Sequence, residues 1–79
     1  MRQFVATFYT HLSALMTCRA LENAGLSARM APVPRVLSSS CGTCVFYSAE
    51  DVCKELLDED TEAVYKFENG NYIQILQFQ

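Results

Sequence analysis

The chain has 79 residues, the size of one small domain, since domains usually run from about 50 to 250 residues. Its composition, with 51% hydrophobic residues and a net charge of −3, is not that of a disordered chain. No apolar run approaches the ~20 residues that cross a bilayer, and residues 1–10 lack the basic start of a signal peptide. We therefore expect a single domain over residues 1–79.

The charges are divided unevenly along the chain. Residues 1–49 carry four arginines against one glutamate, whereas residues 50–79 carry two lysines against eight carboxylates. The arginines are spread out, unlike the clustered basic surface of a nucleic-acid-binding protein. We expect neither a nucleic-acid nor a membrane partner.

The first half of the chain predicts a strand, a helix and a second strand. β-Branched and aromatic residues at Phe4–Tyr9 are typical of a buried strand. Thr10 is a candidate N-cap, Gly25 a candidate stop, and an apolar stripe at helical spacing lies between them. Residues Leu26–Ala31 predict the second strand, which Pro32 ends because proline donates no hydrogen bond to a sheet.

The middle of the chain predicts a loop, a strand and a second helix. Residues 35–42 form the loop, and Cys44–Tyr47 the third strand. Ser48 followed by Asp51 has the form of a capping box, which would begin a second helix.

The last third predicts a hairpin. Ala63–Phe67 and Tyr72–Phe78 are strand-like, and Asn69-Gly70 between them favours a tight turn. The complete order is β-α-β-β-α-β with an extra C-terminal strand. We therefore predict an α+β fold of the ferredoxin-like sandwich type, with two helices on one face of an antiparallel sheet.

Four cysteines stand at positions 18, 41, 44 and 53. Without an export signal the expected compartment is the reducing cytoplasm, where cysteines are thiols rather than disulfides. We interpret Cys18, on the apolar helix stripe, and Cys53, on the second predicted helix among carboxylates, as packing residues.

The segment Cys41-Gly42-Thr43-Cys44 is the sharpest local feature. Because glycine permits a tight backbone turn, the two thiols can approach one another. Such a pair suits thiol–disulfide exchange or half of a metal site, and it can equally be a turn residue and an inward strand residue. A zinc site built from all four cysteines would have spacings that match no compact ligand pattern, so we expect no metal.

The stretch Pro34-Arg35-Val36-Leu37-Ser38-Ser39-Ser40-Cys41-Gly42 resembles the selenium/sulfur carrier-like family of small bacterial domains. Its Cys-Gly step follows a Pro-Arg and serine-containing segment, and the resemblance covers about residues 3–66. It implies that Cys41 carries a persulfide or selenopersulfide for a partner, such as a cysteine desulfurase or another sulfur or selenium transfer enzyme. It implies no bound cofactor and a carrier rather than a turnover enzyme.

Two features depart from that family. A second cysteine is unusual at position 44, so a redox function for Cys41 and Cys44 stays open. The strand within Asn69–Gln79 extends past the expected end of the domain.

The predicted topology supplies an independent reason for Cys41 to be reactive. The loop before the third strand should lie at the same end as the Thr10–His11 helix start, whose free N–H groups favour an anion. Arg35 in the same loop would lower the pKa of the thiol. Asp58-Glu59-Asp60 comes to this end too and would oppose the effect, and His11 can also be an ordinary surface residue.

Three hypotheses follow. In the first, Cys41 accepts reduced sulfur or selenium, Gly42 gives a partner access, and Ser40, Arg35, His11 and Thr10 support the anion. The second is a thiol–disulfide redox protein or sensor that uses Cys41 and Cys44. The third is a non-catalytic module that forms a homodimer through the edge of its last strand, which has no proline or lysine.

Overall fold

A computed structural model describes residues 1–78 of the chain. It contains one α-helix, five strands and a short 3₁₀ turn, in the order β1 (Arg2–Phe8), α1 (His11–Asn23), β2 (Ser27–Pro32), β3 (Thr43–Ala49), the 3₁₀ turn (Lys54–Leu56), β4 (Thr61–Glu68) and β5 (Asn71–Gln77).

The five strands form one antiparallel sheet in the order β2-β3-β1-β4-β5. The first strand is central, and β2 and β5 are the edges. The predicted α+β class is confirmed, and so is the first helix, whose N-cap Thr10 accepts a hydrogen bond from the Ser13 N–H at 3.1 Å. Within residues 1–78, no helix is long and apolar enough to cross a membrane.

One face of the sheet packs against α1. Strand alternation sends Phe4 and Phe8 of β1 toward the helix, together with Tyr47 of β3. The Phe4 and Tyr47 rings stack with their centroids 5.2 Å apart. The helix contributes Ala14, Cys18 and Leu21 to the same core. Cys18 is buried there, which confirms that it is a packing residue.

The centre of the other face of the sheet is buried although no helix of residues 1–78 covers it. Val5 and Thr7 are each 1% exposed, although they point away from α1. We call residues 33–42 the Cys41 loop, and this loop passes over that face. Its Ser38 shares a cleft with Thr7 and with residues of β4 and β5, and Leu37 shares another with Tyr72.

The predicted second helix is wrong. Ser48 belongs to β3, and the only helical structure near it in the described residues is the three-residue 3₁₀ turn. The Asp51 carboxylate accepts a hydrogen bond from the Cys53 N–H at 2.8 Å, and Cys53 has a φ of 53°, which α-helices do not contain. The Tyr47 hydroxyl donates to the Val52 carbonyl at 2.7 Å. The Val52 carbonyl therefore accepts from a side chain of β3 rather than from a helical N–H. The two-helix ferredoxin-like sandwich is therefore not confirmed.

The predicted C-terminal hairpin is confirmed. Asn69 and Gly70 have φ values of 53° and 78°, the pair of positive values that a type I′ turn requires. Phe67 lies opposite Tyr72, and their ring centroids are 4.9 Å apart. Gln79, the last residue of the predicted C-terminal extension, lies outside the described residues.

Candidate functional site around Cys41

The Cys41 loop is closed at its base by a backbone hydrogen bond. The Val33 N–H donates to the Gly42 carbonyl at 3.0 Å, so the two ends of the loop lie side by side. Gly42 has a φ of 75°, and no atom lies within 4 Å of the point where a side chain would begin. The residue after Cys41 therefore turns the chain sharply, and the place its side chain would occupy is open.

Two serine side chains tie the loop to the sheet directly before Cys41. The Ser39 hydroxyl donates to the Phe8 carbonyl at 2.9 Å. The Ser40 hydroxyl and N–H both donate to the Glu62 carboxylate, at 2.7 Å and 3.2 Å. Ser40 therefore anchors the loop by hydrogen bonds, a contact that is different from its expected support of an anion at Cys41.

The Cys41 side chain is half-buried and packs against the core. Its Sγ lies 3.8 Å from the Ser39 hydroxyl and donates a weak hydrogen bond to the Thr43 carbonyl at 3.5 Å. Cys41 is therefore more exposed than the buried Cys18 and Cys44, and Cys53 falls in the same half-buried class.

The start of α1 meets the end of the Cys41 loop through Thr43. His11 Nδ1 lies 3.3 Å from Thr43 Oγ1, and the Thr43 carbonyl is the group that accepts from Cys41. His11 is exposed, and Thr10 caps the helix. A single residue between the two cysteines thus contacts both the thiol and the histidine.

A shallow cleft of about 280 Å³ opens beside this junction. It is lined by His11 and Thr43, by the glycine after Cys41, and by apolar side chains of β2 that include Met30 and Pro32. The cleft gives an approaching group an apolar wall and one imidazole.

Arg35 lies in the Cys41 loop, and its support of an anion at Cys41 stays a prediction. Its side chain is exposed and, within residues 1–78, makes no hydrogen bond or ion pair. The acidic run does reach this end of the sheet, where the Asp60 carbonyl accepts from the Tyr9 N–H at 3.0 Å.

Cys44 is in a different environment from Cys41. It is 0% exposed, on the face of the sheet turned away from α1, and its thiol contacts the Pro32 carbonyl at 3.7 Å. Burial raises the pKa of the Cys44 thiol to about 11; Arg29 opposes this rise and Cys41 adds to it. All four cysteines are free thiols.

Cys53 lies in a turn rather than on the predicted helix. Burial raises the pKa of its thiol first, and the hydrogen bond and charge of Asp51 and the charge of Glu55 raise it further. Burial and, to a smaller extent, the charge of Glu22 also raise the pKa of Cys18. In residues 1–78, no group of three or more histidine, cysteine or acidic side chains is arranged to hold a metal ion.

Sequence reasoning missed Thr43 and Glu62. The one sequence signal for Thr43 was its place inside the Cys41–Cys44 segment. Glu62 carries no signal in the sequence, since its contact with Ser40 depends on how the loop crosses the sheet.

Comparison with known proteins identifies the family of this chain. Residues 3–78 match the family described as "Putative Se/S carrier protein-like", and the chain belongs to it. The uncharacterized protein YtiA of Escherichia coli (strain K12) is 26% identical over 72 residues, which cover 89% of this chain and 85% of that protein. No solved structure matches the chain significantly. The match includes β5, so the last strand lies within the family's domain and is not an extension of it.

Proposed function

We propose that this protein carries reduced sulfur or selenium as a persulfide or selenopersulfide on Cys41 and delivers it to a partner enzyme. The Cys41 thiolate would attack the outer sulfur of a donor persulfide, so that a new S–S bond forms at Cys41 while the donor's S–S bond breaks. The donor leaves as a thiolate, and no external oxidant or reductant is needed. A cysteine desulfurase is the simplest donor, and the free thiols fit a reducing cytoplasm.

The observation that carries this proposal is the unequal placement of Cys41 and Cys44. Thiol–disulfide exchange needs one thiol to attack and the other to resolve, so both must be accessible. Cys44 is fully buried, and its pKa near 11 leaves almost no thiolate at neutral pH. Cys41 is half-buried in a tethered loop whose last residue, Gly42, lines an open cleft. One accessible thiol suits a carrier better than a two-cysteine redox protein.

The neighbouring residues have matching functions in this proposal. Gly42 leaves space for the donor, and the cleft between His11 and Pro32 receives the apolar part of the donor's loop. His11 reaches the site through Thr43 and would supply a hydrogen-bonding imidazole near the persulfide. The free N–H groups after Thr10 would favour the persulfide anion. Arg35 would contribute as a surface charge that is available to the partner.

Loading by a cysteine desulfurase supplied with cysteine tests the proposal. We expect the wild-type protein and Cys44→Ser to gain a sulfane sulfur and Cys41→Ser to gain none. Cys53→Ser is the matched control, because it removes the other half-buried thiol. Loss of loading in both Cys41→Ser and Cys44→Ser would favour the redox alternative, and loading of Cys41→Ser would contradict the carrier proposal.

A second candidate function is that of a non-catalytic interaction module, which would form a homodimer through β5. This strand is an edge of the sheet, and it leaves Ile73 46% exposed without a lysine or proline to block pairing. Light scattering over a range of protein concentrations tests it. A dimer that Ile73→Lys converts to a monomer would support the candidate, and a monomer at every concentration would overturn it.

A further inference from the structure

Glu62 makes an unusual contact for a strand carboxylate. Its Oε2 accepts from the Ser40 hydroxyl at 2.7 Å, and its Oε1 accepts from the Ser40 N–H at 3.2 Å. Both oxygens are therefore engaged by one residue of the Cys41 loop, 22 positions away in sequence. Hydrogen bonds to an ionised acceptor are about twice as strong as neutral ones, so this is a strong link between loop and sheet.

The backbone of β4 is arranged so that Glu62 can make this contact. Thr7 pairs with Ala63 and Phe8 pairs with Thr61, which leaves Glu62 as the extra residue of a β-bulge. A bulge redirects the side chain that it contains. On the other edge of β4, the Glu62 carbonyl accepts from the Phe78 N–H at 2.9 Å, which holds the bulge in place.

The link acts on the residue directly before Cys41. Ser39 is fixed by the Phe8 carbonyl and Ser40 by Glu62, so the two positions that precede the thiol are both held. The Ser39 hydroxyl lies 3.8 Å from the Cys41 Sγ. The orientation of Cys41 therefore depends on how firmly these two serines are held.

We propose that Glu62 is a positioning residue for Cys41, acting through Ser40. This inference rests on the proposed carrier function for its significance, because it assigns Glu62 the task of presenting the thiol to the donor. With the contact intact, Cys41 is half-buried and held in one orientation. Without it, the loop loosens, and the thiol becomes more accessible to small reagents but less well placed for a partner's persulfide.

Two opposite effects on Cys41 distinguish this from general destabilisation. In Glu62→Gln, one of the two acceptors becomes an NH₂ donor, so one hydrogen bond to Ser40 is lost. We expect Cys41 to react about three- to tenfold faster with iodoacetamide and to be loaded more slowly by the desulfurase. Hydrogen exchange at the Ser40 amide should accelerate too. Glu59→Gln is the matched control, since Glu59 is exposed and the substitution removes the same charge.

A second variant keeps the test decisive if Glu62 proves necessary for folding. Ser40→Ala removes the 2.7 Å hydrogen bond without changing β4, and it should raise the alkylation rate in the same direction. The proposal would be overturned if both folded variants kept the wild-type alkylation rate of Cys41 and the wild-type hydrogen-exchange rate of the backbone amide at position 40. If the wild-type protein is not loaded at all while both rates still rise, the carrier function fails and the positioning of Cys41 by Glu62 stands.

Discussion

Two loops of this protein each hold a half-buried cysteine, and they surround it differently. The Cys41 loop places its thiol beside the Ser39 hydroxyl and the Thr43 carbonyl, and the Thr43 side chain in turn contacts His11 at the start of α1. Residues 50–57, which we call the Cys53 turn, place their thiol beside Asp51 and Glu55. Burial raises the pKa of this thiol first, and the two carboxylates raise it further. The Cys41 loop borders a cleft with an apolar wall, whereas the Cys53 turn is acidic.

The difference leads us to expect that exposure alone does not identify the reactive cysteine. Cys53 has the same burial class as Cys41, but carboxylates face it and disfavour its thiolate, which is the reactive form. Cys44 shows the complementary case, since it lies only three positions from Cys41 and is entirely buried. The following experiments test this contrast, beginning with the largest expected effect.

The largest effect is expected in the order of alkylation. With limiting iodoacetamide at neutral pH, Cys41 should be labelled first and Cys53 second, while Cys44 and Cys18 react only after unfolding. A thiol pKa near 11 lowers the thiolate population of Cys44 by about two orders of magnitude relative to an ordinary cysteine, before burial slows it further. Peptide mass mapping reads the order. Early labelling of Cys44 in the folded protein would contradict its buried placement.

Cys44 should also make stability depend on alkaline pH. Because its pKa is raised in the folded state, the fold holds this proton more tightly than the unfolded chain, whose thiol titrates near 8.5. Its contribution is complete below that pH and is lost as pH rises toward 11, an expected loss of about 3 kcal/mol. The difference in unfolding free energy between wild type and Cys44→Ala should therefore shrink by that amount as the pH rises from about 8.5 to about 11. A difference that is constant across this range would be inconsistent with the raised pKa.

Gly42→Ala and Gly70→Ala form a matched pair that separates stability from the site. Both glycines have a positive φ and open space around them, so each substitution should cost about 1 kcal/mol of unfolding free energy. Only Gly42→Ala should also change the alkylation rate of Cys41, because it reorients the end of the Cys41 loop. Equal alkylation rates in the two variants would mean that the turn at Gly42 does not control the thiol.

The smallest effect concerns the Cys53 turn. Asp51→Asn keeps an oxygen for the Cys53 N–H but removes the charge that raises the pKa of the thiol. Alkylation of Cys53 at neutral pH should rise about threefold, with Glu50→Gln as the control on the neighbouring carboxylate. An unchanged rate would indicate that burial alone protects Cys53.

The fold was predictable where local signals are strong. The cap at Thr10, the stop at Gly25 and the Asn69-Gly70 turn each depend on a few neighbouring residues, and the structure contains the helix and the hairpin they predict. The prediction of a second helix was wrong for two reasons. Ser48 continues the strand that contains Tyr47, and the Asp51 carboxylate accepts from the Cys53 N–H instead of capping a helix. Local sequence does not decide between these two uses of the same residues.

The site was predictable only in part, for a similar reason. The Pro-Arg-serine segment indicated a loop that ends in Cys41-Gly42, and that is its place in the structure. The sequence did not indicate that the loop crosses the sheet, which sets the contact of Ser40 with Glu62 and leaves Arg35 exposed. Those contacts depend on residues far apart in the chain.

The central claim is that Cys41 is the residue that receives the transferred sulfur. The most direct measurement is peptide mass mapping of the wild-type protein after incubation with a cysteine desulfurase and cysteine, with the remaining thiols blocked. The account predicts that the mass of one added sulfur atom appears on the peptide that contains Cys41 and is retained on Cys41 in Cys44→Ser. An added sulfur on Cys53 or Cys18, or a Cys41–Cys44 disulfide in place of a persulfide, would contradict it.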